Sequence, residues 1–444
     1  MLEATKTIDL ALAGFLSPRL VAGARICVGL SGGMDSVALA HALNRRRHQD
    51  GLRFELSAVH VHHGISSRAD DWADFCSRYC EQLDVALEVV KVTVPRDSGE
   101  GLEGAARRLR HEVFSKMQAD WLALAHHRDD QAETVLLNLL RGAGVAGAAG
   151  MLAVRPQACG PALVRPLLDV PRAVVAGYAA AHGLIWIEDE SNDDRHFRRN
   201  FLRHEILPRL EASFPGASRS LARAAGHFAE SSALLDDLAV MDWAAVVAAS
   251  GRLALEPFNR LPAARARNLL RFAWCAAGFR APDTRWIDEA LKQLATANSL
   301  SEIRLSTSEG ELHVYRGELY TVRLPVCLPT ETVVWRGENR LPWAGGFVRF
   351  VETAGQGIRR SALDEAVVRV TPRLGGERLQ LDIRRPRRSL RNLLQEMAIP
   401  PWERQQLPLL RVGDRLAWVG GVGCDVAFVC LPSEVGILPV WEGG

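Results

Sequence analysis

Ser31-Gly32-Gly33-Met34-Asp35-Ser36 stands between a short apolar run, Arg25–Leu30, and a helix-like stretch from Val37 to Leu43. Gly32 and Gly33 permit backbone angles closed to other residues, so successive main-chain amides can turn into one concavity. Such a nest at a helix N-terminus suits an anion, and phosphate is the usual one. The common nucleotide-triphosphate loop places a lysine before its terminal Ser or Thr, whereas here Asp35 precedes Ser36. A carboxylate beside phosphates needs a cation between them, and magnesium favours carboxylate and phosphate oxygens together. Gly-Gly alone is ordinary turn chemistry; the full string is far more restrictive. It predicts phosphate binding at Ser31–Ser36 with Asp35 as the metal ligand.

A second set of reactive side chains lies in "ALAHHRDDQAETVLLNLLRGAG", where His126 and His127 end an apolar run and Asp129, Asp130 and Glu133 open a helix. Acids in a first helical turn complement the dipole without further function. Capping accounts for one aspartate more readily than for the whole group. Zinc would need Cys or His partners at metal spacing, and none follow. The cluster is therefore expected to handle magnesium, a substrate amine, or both. "GLEGAARRLRHEVF" adds Arg107, Arg108 and Arg110 on a helix with Glu103, and "RRNFLR" brings Arg198, Arg199 and Arg203 together. Arginines so placed suit phosphate positioning on a nucleic acid, although surface helices carry arginine for many reasons. From Pro372 to Arg415 ten arginines face five acids, with Arg384, Arg385, Arg387, Arg388 and Arg391 densest. Trp402, within the same stretch, is either a base-stacking surface or packed core.

Loops with this chemistry must be held by a scaffold. "RICVGL", "LSAVHVHH", "ALEVVKVTV" and "WLALAHH" are short and apolar, as buried parallel strands are. Amphipathic helical stretches such as "DDWADFCSRYCEQL" alternate with them. That alternation predicts an α/β domain built on an open, doubly wound, mostly parallel sheet. Its strands would place Gly32–Asp35, His62–Gly64 and His126–Asp130 on one carboxyl rim. The expected domains are a catalytic one over 1–215, a mainly helical one over 216–325 ending in a small hairpin, and a small α+β one over 366–444. The Pro- and Gly-punctuated stretch from Pro325 to Gly357 reads as a connection.

At 444 residues, 48% of them hydrophobic, the chain has room for two or three globular domains. A net charge of +2 argues for no polyanion partner by itself, but four lysines among 54 basic residues leave phosphate contacts to arginine or to backbone amides. The eight cysteines form no C-x-x-C pair, and Cys76 and Cys80 fall at helical spacing among apolar residues, where packing is expected. Asp9 interrupts the apolar run near the start, and no segment reaches the roughly 18 apolar residues of a membrane span. A cytoplasmic protein with no membrane partner is expected.

The string S-G-G-x-D-S resembles the pyrophosphate loop (PP-loop) of the ATP pyrophosphatases, which split ATP into AMP and pyrophosphate. With "AVHVHHGIS", "GLEGAARRLR", "AHHRDDQAETVLLNLLRGAGVAGAAGM", "RPLLDVPR", "EDESN", "RRNFLR" and "IPPWERQQLPLL" in order, nearly the whole chain resembles the bacterial tRNA(Ile)-lysidine synthetases. His62 and Ser66 depart from the family pattern, which commonly has Asn and Arg there. The resemblance implies a PP-loop fold followed by tRNA-binding domains, with ATP and free L-lysine as co-substrates and magnesium as cofactor. It implies adenylation of the wobble cytidine in the CAU anticodon of tRNA(Ile), followed by attack of the lysine amine to leave lysidine. In that picture Ser31–Ser36 bind ATP, Asp35 holds the metal, and Asp129, Asp130, Glu133 and Arg107 serve the chemistry. Arg199, Arg203, Arg384, Arg385, Arg387 and Arg388 would contact phosphates. Oligomeric state is left open. A tRNA thiolase would share the loop but use reactive cysteines, and a catalytically silent tRNA-binding protein would not need the acidic cluster.

Overall fold

The computed structural model describes residues 2–47, 54–95, 101–157, 159–188, 198–298, 301–324, 329 and 331–443. Two compact units divide the chain, Met1–Asp237 and Leu238–Gly444. In the first, helix α1 (Leu2–Leu16) precedes β1 (Ala24–Gly29), α2 (Met34–Arg47), β2 (Phe54–His62), α3 (Ala69–Leu83) and β3 (Ala86–Lys91). Then follow α4 (Gly101–Phe114), β4 (Trp121–Ala123), α5 (Arg128–Leu140), α6 (Val145–Ala148), β5 (Val154–Arg155), β6 (Ala162–Val164) and α7 (Arg172–Ala181).

The strands form one sheet in the order β3-β2-β1-β4-β6-β5, parallel except for the last pair. Alternation along each strand covers both faces. Ile26 and Val28 pack with Ile8, Leu12, Val37, Leu39 and Tyr178 on one side. Cys27 packs with Val59, Val61, Phe114 and Leu122 on the other. The expected doubly wound α/β sheet is present. Sequence order reverses between β1 and β4, and at such a switch point the two following loops part and leave a crevice. Cys76 and Cys80 are buried on α3, as their spacing predicts.

After α7 come a short helix α8 (Arg198–Phe201), a π-helical turn (Leu202–Ile206), α9 (Leu207–Ser213) and the long α10 (Ala217–Val246), which crosses the unit boundary. Residues 189–192 of the "EDESN" block lie outside the described residues.

In the second unit, helices Ala263–Ala276 and Thr284–Thr296 pack on an antiparallel sheet that includes Gly310–Tyr315 and Glu318–Arg323. Trp274, Leu269, Leu294, Leu312 and Val314 share its core. The expected hairpin gains Ile303–Ser306 as an outer strand. The stretch read as a connection behaves differently from the sequence expectation. Arg340–Trp343 and Gly346–Ala354 form a hairpin turning at Ala344 and Gly345, both at positive φ. Phe347–Ala354 then pairs with Val435–Glu442 along the whole of the latter. Pro342 misled because proline breaks an internal strand, but Arg340–Trp343 is an edge strand, where a missing N–H costs little. Among the described residues no helix is long and apolar enough to cross a membrane.

Candidate active site

Beyond β1 the chain leaves the sheet beside β4, at the switch point. Gly32 takes φ +86°, and a Cβ there would meet Ile187 Cδ1 at 2.8 Å. Glycine alone satisfies both conditions. Its carbonyl accepts the Ile187 N–H at 2.9 Å, which ties the turn to the segment after α7. Ser36 Oγ donates to Gly33 O at 2.9 Å and accepts the Ser31 N–H at 3.2 Å, while Gly33 N–H reaches Ser31 Oγ at 3.3 Å. The first rung of the α2 ladder is Val37 N–H to Gly33 O, which leaves the amides of Met34, Asp35 and Ser36 for an anion.

Asp35 sits in that first turn. Its Oδ1 is buried with no hydrogen-bond partner among the described residues, and Oδ2 lies 3.7 Å from His127 Nε2. Burial pushes the carboxyl above the usual carboxylate range; His127 opposes this, Asp130 adds to it, and Arg172 and Arg203 oppose it. An orphaned, buried carboxylate oxygen is what a hard cation would satisfy. Asp35 thus has the chemistry to hold such a cation, and among the described residues no group of three His, Cys, Asp or Glu side chains is placed to hold one without further ligands.

Across the crevice, α5 begins with His127 as its cap. His127 Nδ1 accepts the Asp130 N–H at 3.3 Å, and Asp130 Oδ2 accepts the His127 N–H at 3.1 Å, a reciprocal capping box. With Nδ1 accepting, the ring proton resides on Nε2, 3.4 Å from Asp130 Oδ2 and facing Asp35. Asp130 and Glu133 also meet two arginines from the π-helical region. Arg199 Nε donates to Glu133 Oε2 at 2.8 Å, and its Nη2 to Asp130 Oδ1 at 2.9 Å. Arg203 Nε donates to Glu133 Oε1 at 2.6 Å, and its Nη2 to Asp130 Oδ1 at 3.1 Å. The wide turn helps both guanidinium groups, four residues apart, converge on one acid; π-turns recur at functional sites. Asp129, the most exposed of the three helix acids, accepts the Arg172 N–H at 2.8 Å and so caps α7.

Of the first-unit residues singled out by sequence, Asp35, Asp130, Glu133, Arg199 and Arg203 meet around His127 at the switch point, with a different division of labour. Arg199 and Arg203, expected at phosphates, here hold Asp130 and Glu133. Arg107 is exposed on α4; burial, with the charges of Arg155 and then Arg107, draws Arg165 down to about 10. His62 pairs with Asp70 at 3.1 Å. Arg165, not singled out by sequence, is buried and donates to His126 Nδ1 at 3.2 Å. Arg172 was missed too, although Pro171 before an apolar helical stretch signals a helix start there. In the second unit, Arg387 meets the fully buried Asp425 at 3.0 Å, and Arg388 pairs with Glu396. Arg384 and Arg385 are exposed.

Residues 5–210 match the PP-loop domain, 253–320 the TilS substrate binding domain, and 368–441 the TilS substrate C-terminal domain. The tRNA(Ile)-lysidine synthase of Aromatoleum aromaticum is 45% identical over 94% of this chain and 97% of its own length. Those of Azoarcus sp. (44%, covering 94% and 91%) and Nitrosomonas europaea (41%, covering 95% and 92%) are similar throughout. Identity at this level over the full span, on a sheet whose switch point carries the loop and the acidic cluster, leaves one assignment: the chain belongs to the tRNA(Ile)-lysidine synthase family.

Proposed function

We propose that this protein is an ATP-dependent ligase that joins free L-lysine to the wobble cytidine of tRNA(Ile) with a CAU anticodon, forming lysidine. The observation that carries the reading is the meeting of the Ser31–Ser36 nest, the unsatisfied Asp35 oxygen and the α5 acids at one switch point. ATP places its phosphates on the amides of Met34–Ser36. The ring carbonyl oxygen of the cytidine attacks the α-phosphorus, and the bond to pyrophosphate breaks. Magnesium, when bound, neutralises charge on the departing pyrophosphate. The lysine amine, with an unperturbed pKa of about 10.4, must shed a proton before it attacks the activated ring carbon and expels AMP. Asp129, Asp130 and Glu133 supply negative charge to attract, orient or deprotonate that amine. At Asp130 or Glu133 it shares the carboxylates with Arg199 and Arg203. Arg107 and Arg165 bring positive charge for phosphate.

Sulfur transfer fits less well. Burial pushes the thiols of Cys27, Cys76 and Cys80 up to about 11, about 12 and about 11, and a protonated thiol is a poor nucleophile. Incubation with ATP, magnesium, labelled lysine and bulk tRNA tests the reading. Label is expected in one modified cytidine, with AMP and pyrophosphate released in step; release of AMP and pyrophosphate with no label entering the RNA would refute lysine ligation.

For the tail, the ion pairs divide the basic cluster. Arg384 and Arg385 are proposed to grip RNA phosphates, whereas Arg387 is anchored on Asp425. An Arg384→Ala/Arg385→Ala variant should weaken tRNA binding and flatten the log–log salt dependence by about one unit per arginine. Arg387→Ala should instead lower the melting temperature, because Asp425 also accepts the N–H groups of Gln380 and Ala427 and loses its only cationic partner among the described residues. Gel-shift titrations at two salt concentrations, with a thermal melt of each variant, separate the two effects.

A further inference from the structure

A cleft of about 400 Å3 opens within the second unit, between the Gly310–Tyr315/Glu318–Arg323 hairpin and the turn at Pro401–Arg404. Its volume falls in the roughly 300–1,000 Å3 typical of small-molecule sites. Trp402 lines it and is fixed from behind. The indole stacks on His313 with centroids 4.1 Å apart and planes 29° apart. His313 is held by Glu311 at 2.8 Å, and Glu311 by Arg304 at 2.7 Å. Tyr320 stands edge-on to Trp402 at 5.2 Å, and the Arg252 guanidinium lies 4.4 Å over the Tyr320 ring. Arg252 and Arg323 are both exposed and both line the opening. Two further polar groups line the cleft. The Trp441 indole N–H is buried with no acceptor among the described residues. The half-buried Glu403 carboxyl is raised by burial, with Arg252 opposing.

We propose that this cleft holds one unpaired nucleotide of the RNA substrate, its base against Trp402 and Tyr320 and its phosphate on Arg252 and Arg323. The inference rests on the RNA reading above and extends it to a site outside the catalytic unit. A buttressed aromatic face suits any base, because every base has a π-face and stacking tolerates sequence. The two exposed guanidinium groups complement a phosphate at the mouth. Glu403 can accept from base N–H groups, so the cleft can read an exposed base edge as well as its face. The enclosed volume suits a single nucleotide rather than a duplex, which would present its bases already stacked and paired.

Trp402 also supports Tyr315, so Trp402→Ala risks unfolding the region. Two milder changes avoid that. Arg252→Ala removes an exposed guanidinium, and Thr321→Trp fills the cleft from an exposed strand position that tolerates aromatics. Fluorescence anisotropy on the full chain uses three probes: a short unstructured RNA oligonucleotide, a blunt RNA duplex of the same length, and a nucleoside monophosphate. The wild type is expected to prefer the single strand; Thr321→Trp should weaken it by about tenfold, the loss of one stacked base, and Arg252→Ala should weaken it and flatten its salt dependence, the loss of one phosphate contact. In lysidine formation, KM for tRNA should rise by a similar factor while kcat at saturating RNA holds. Unchanged oligonucleotide affinity in both variants would overturn the assignment, as would equal binding of duplex and single strand. A monophosphate that matches the oligonucleotide would also overturn it and give the cleft to a free nucleotide. If the wild type makes no lysidine, the catalytic reading fails while the anisotropy result still decides the cleft.

Discussion

Asp35→Asn should abolish pyrophosphate release from ATP and tRNA, by at least about a hundredfold, while leaving the protein folded and no less stable. The loss follows from removing the charge that balances a cation against the phosphates; deleting one preorganised electrostatic partner costs about 10²–10³ in rate. Retained stability follows from the burial that raises this carboxyl. A folded-state pKa above the unfolded one means that folding prefers the protonated acid. The ionised form therefore subtracts stability above the folded pKa, and that deficit vanishes on acidification below the unfolded value. Asparagine removes it. The same shift sets the pH dependence of the wild type: magnesium requires the ionised form, so activity should fall on acidification from a point above the ordinary carboxylate range. Pyrophosphate release measured against pH, alongside a thermal melt, checks both halves. Near-normal release by the variant would remove Asp35 from the chemistry, and a lost melting transition would make its role structural.

Glu133→Ala should have the largest effect on stability. Its side chain is 1% exposed and accepts from two guanidinium groups that are 31% and 26% exposed. Truncating one partner of a fully buried ion pair costs about 3–5 kcal/mol. Water can rehydrate partly exposed arginines, and both keep Asp130, so about 2–3 kcal/mol is expected here. A fall of several degrees in the melting temperature of the first unit would follow. Glu133→Gln keeps the shape and separates support from chemistry. If Glu133 serves the lysine step, the amide should slow lysine transfer more than ATP-dependent pyrophosphate release at a temperature where the protein is folded. Equal loss of both half-reactions, with a lowered melting temperature, assigns Glu133 to holding Arg199 and Arg203.

The nucleotide loop was legible because its physics is local: two glycines, a helix start and a carboxylate lie within six residues. The sheet was legible from strands buried on both faces, which leave continuous apolar runs such as Arg25–Leu30. The pairing of Glu133 with Arg199, 66 residues away, was not, because a basic helix looks the same whether its arginines meet solvent, RNA or a buried acid. Nor was the use of Asp129 to cap a second helix, since one carboxylate in a first turn serves its own dipole equally well on paper. The hairpin at residues 340–354 was hidden by turn residues that also punctuate linkers, and only its long-range partner at 435–442 decides between the two.

That pairing has a consequence for how the protein is made. Val435–Glu442 lies between Gly346–Ala354 and Ile358–Arg359 in its sheet. On the ribosome, residues 346–359 therefore emerge roughly eighty residues before the strand that joins them. Until then the edge that meets Val435–Glu442 is unpaired and the apolar side chains of Val348 and Phe350 lack their full cover, the exposure that chaperones recognise. A nascent chain stopped between Arg359 and Val435 keeps the first unit's sheet complete and leaves this one open. Ribosomal pausing or premature termination in that interval would thus yield a product with an intact nucleotide loop and an adhesive edge.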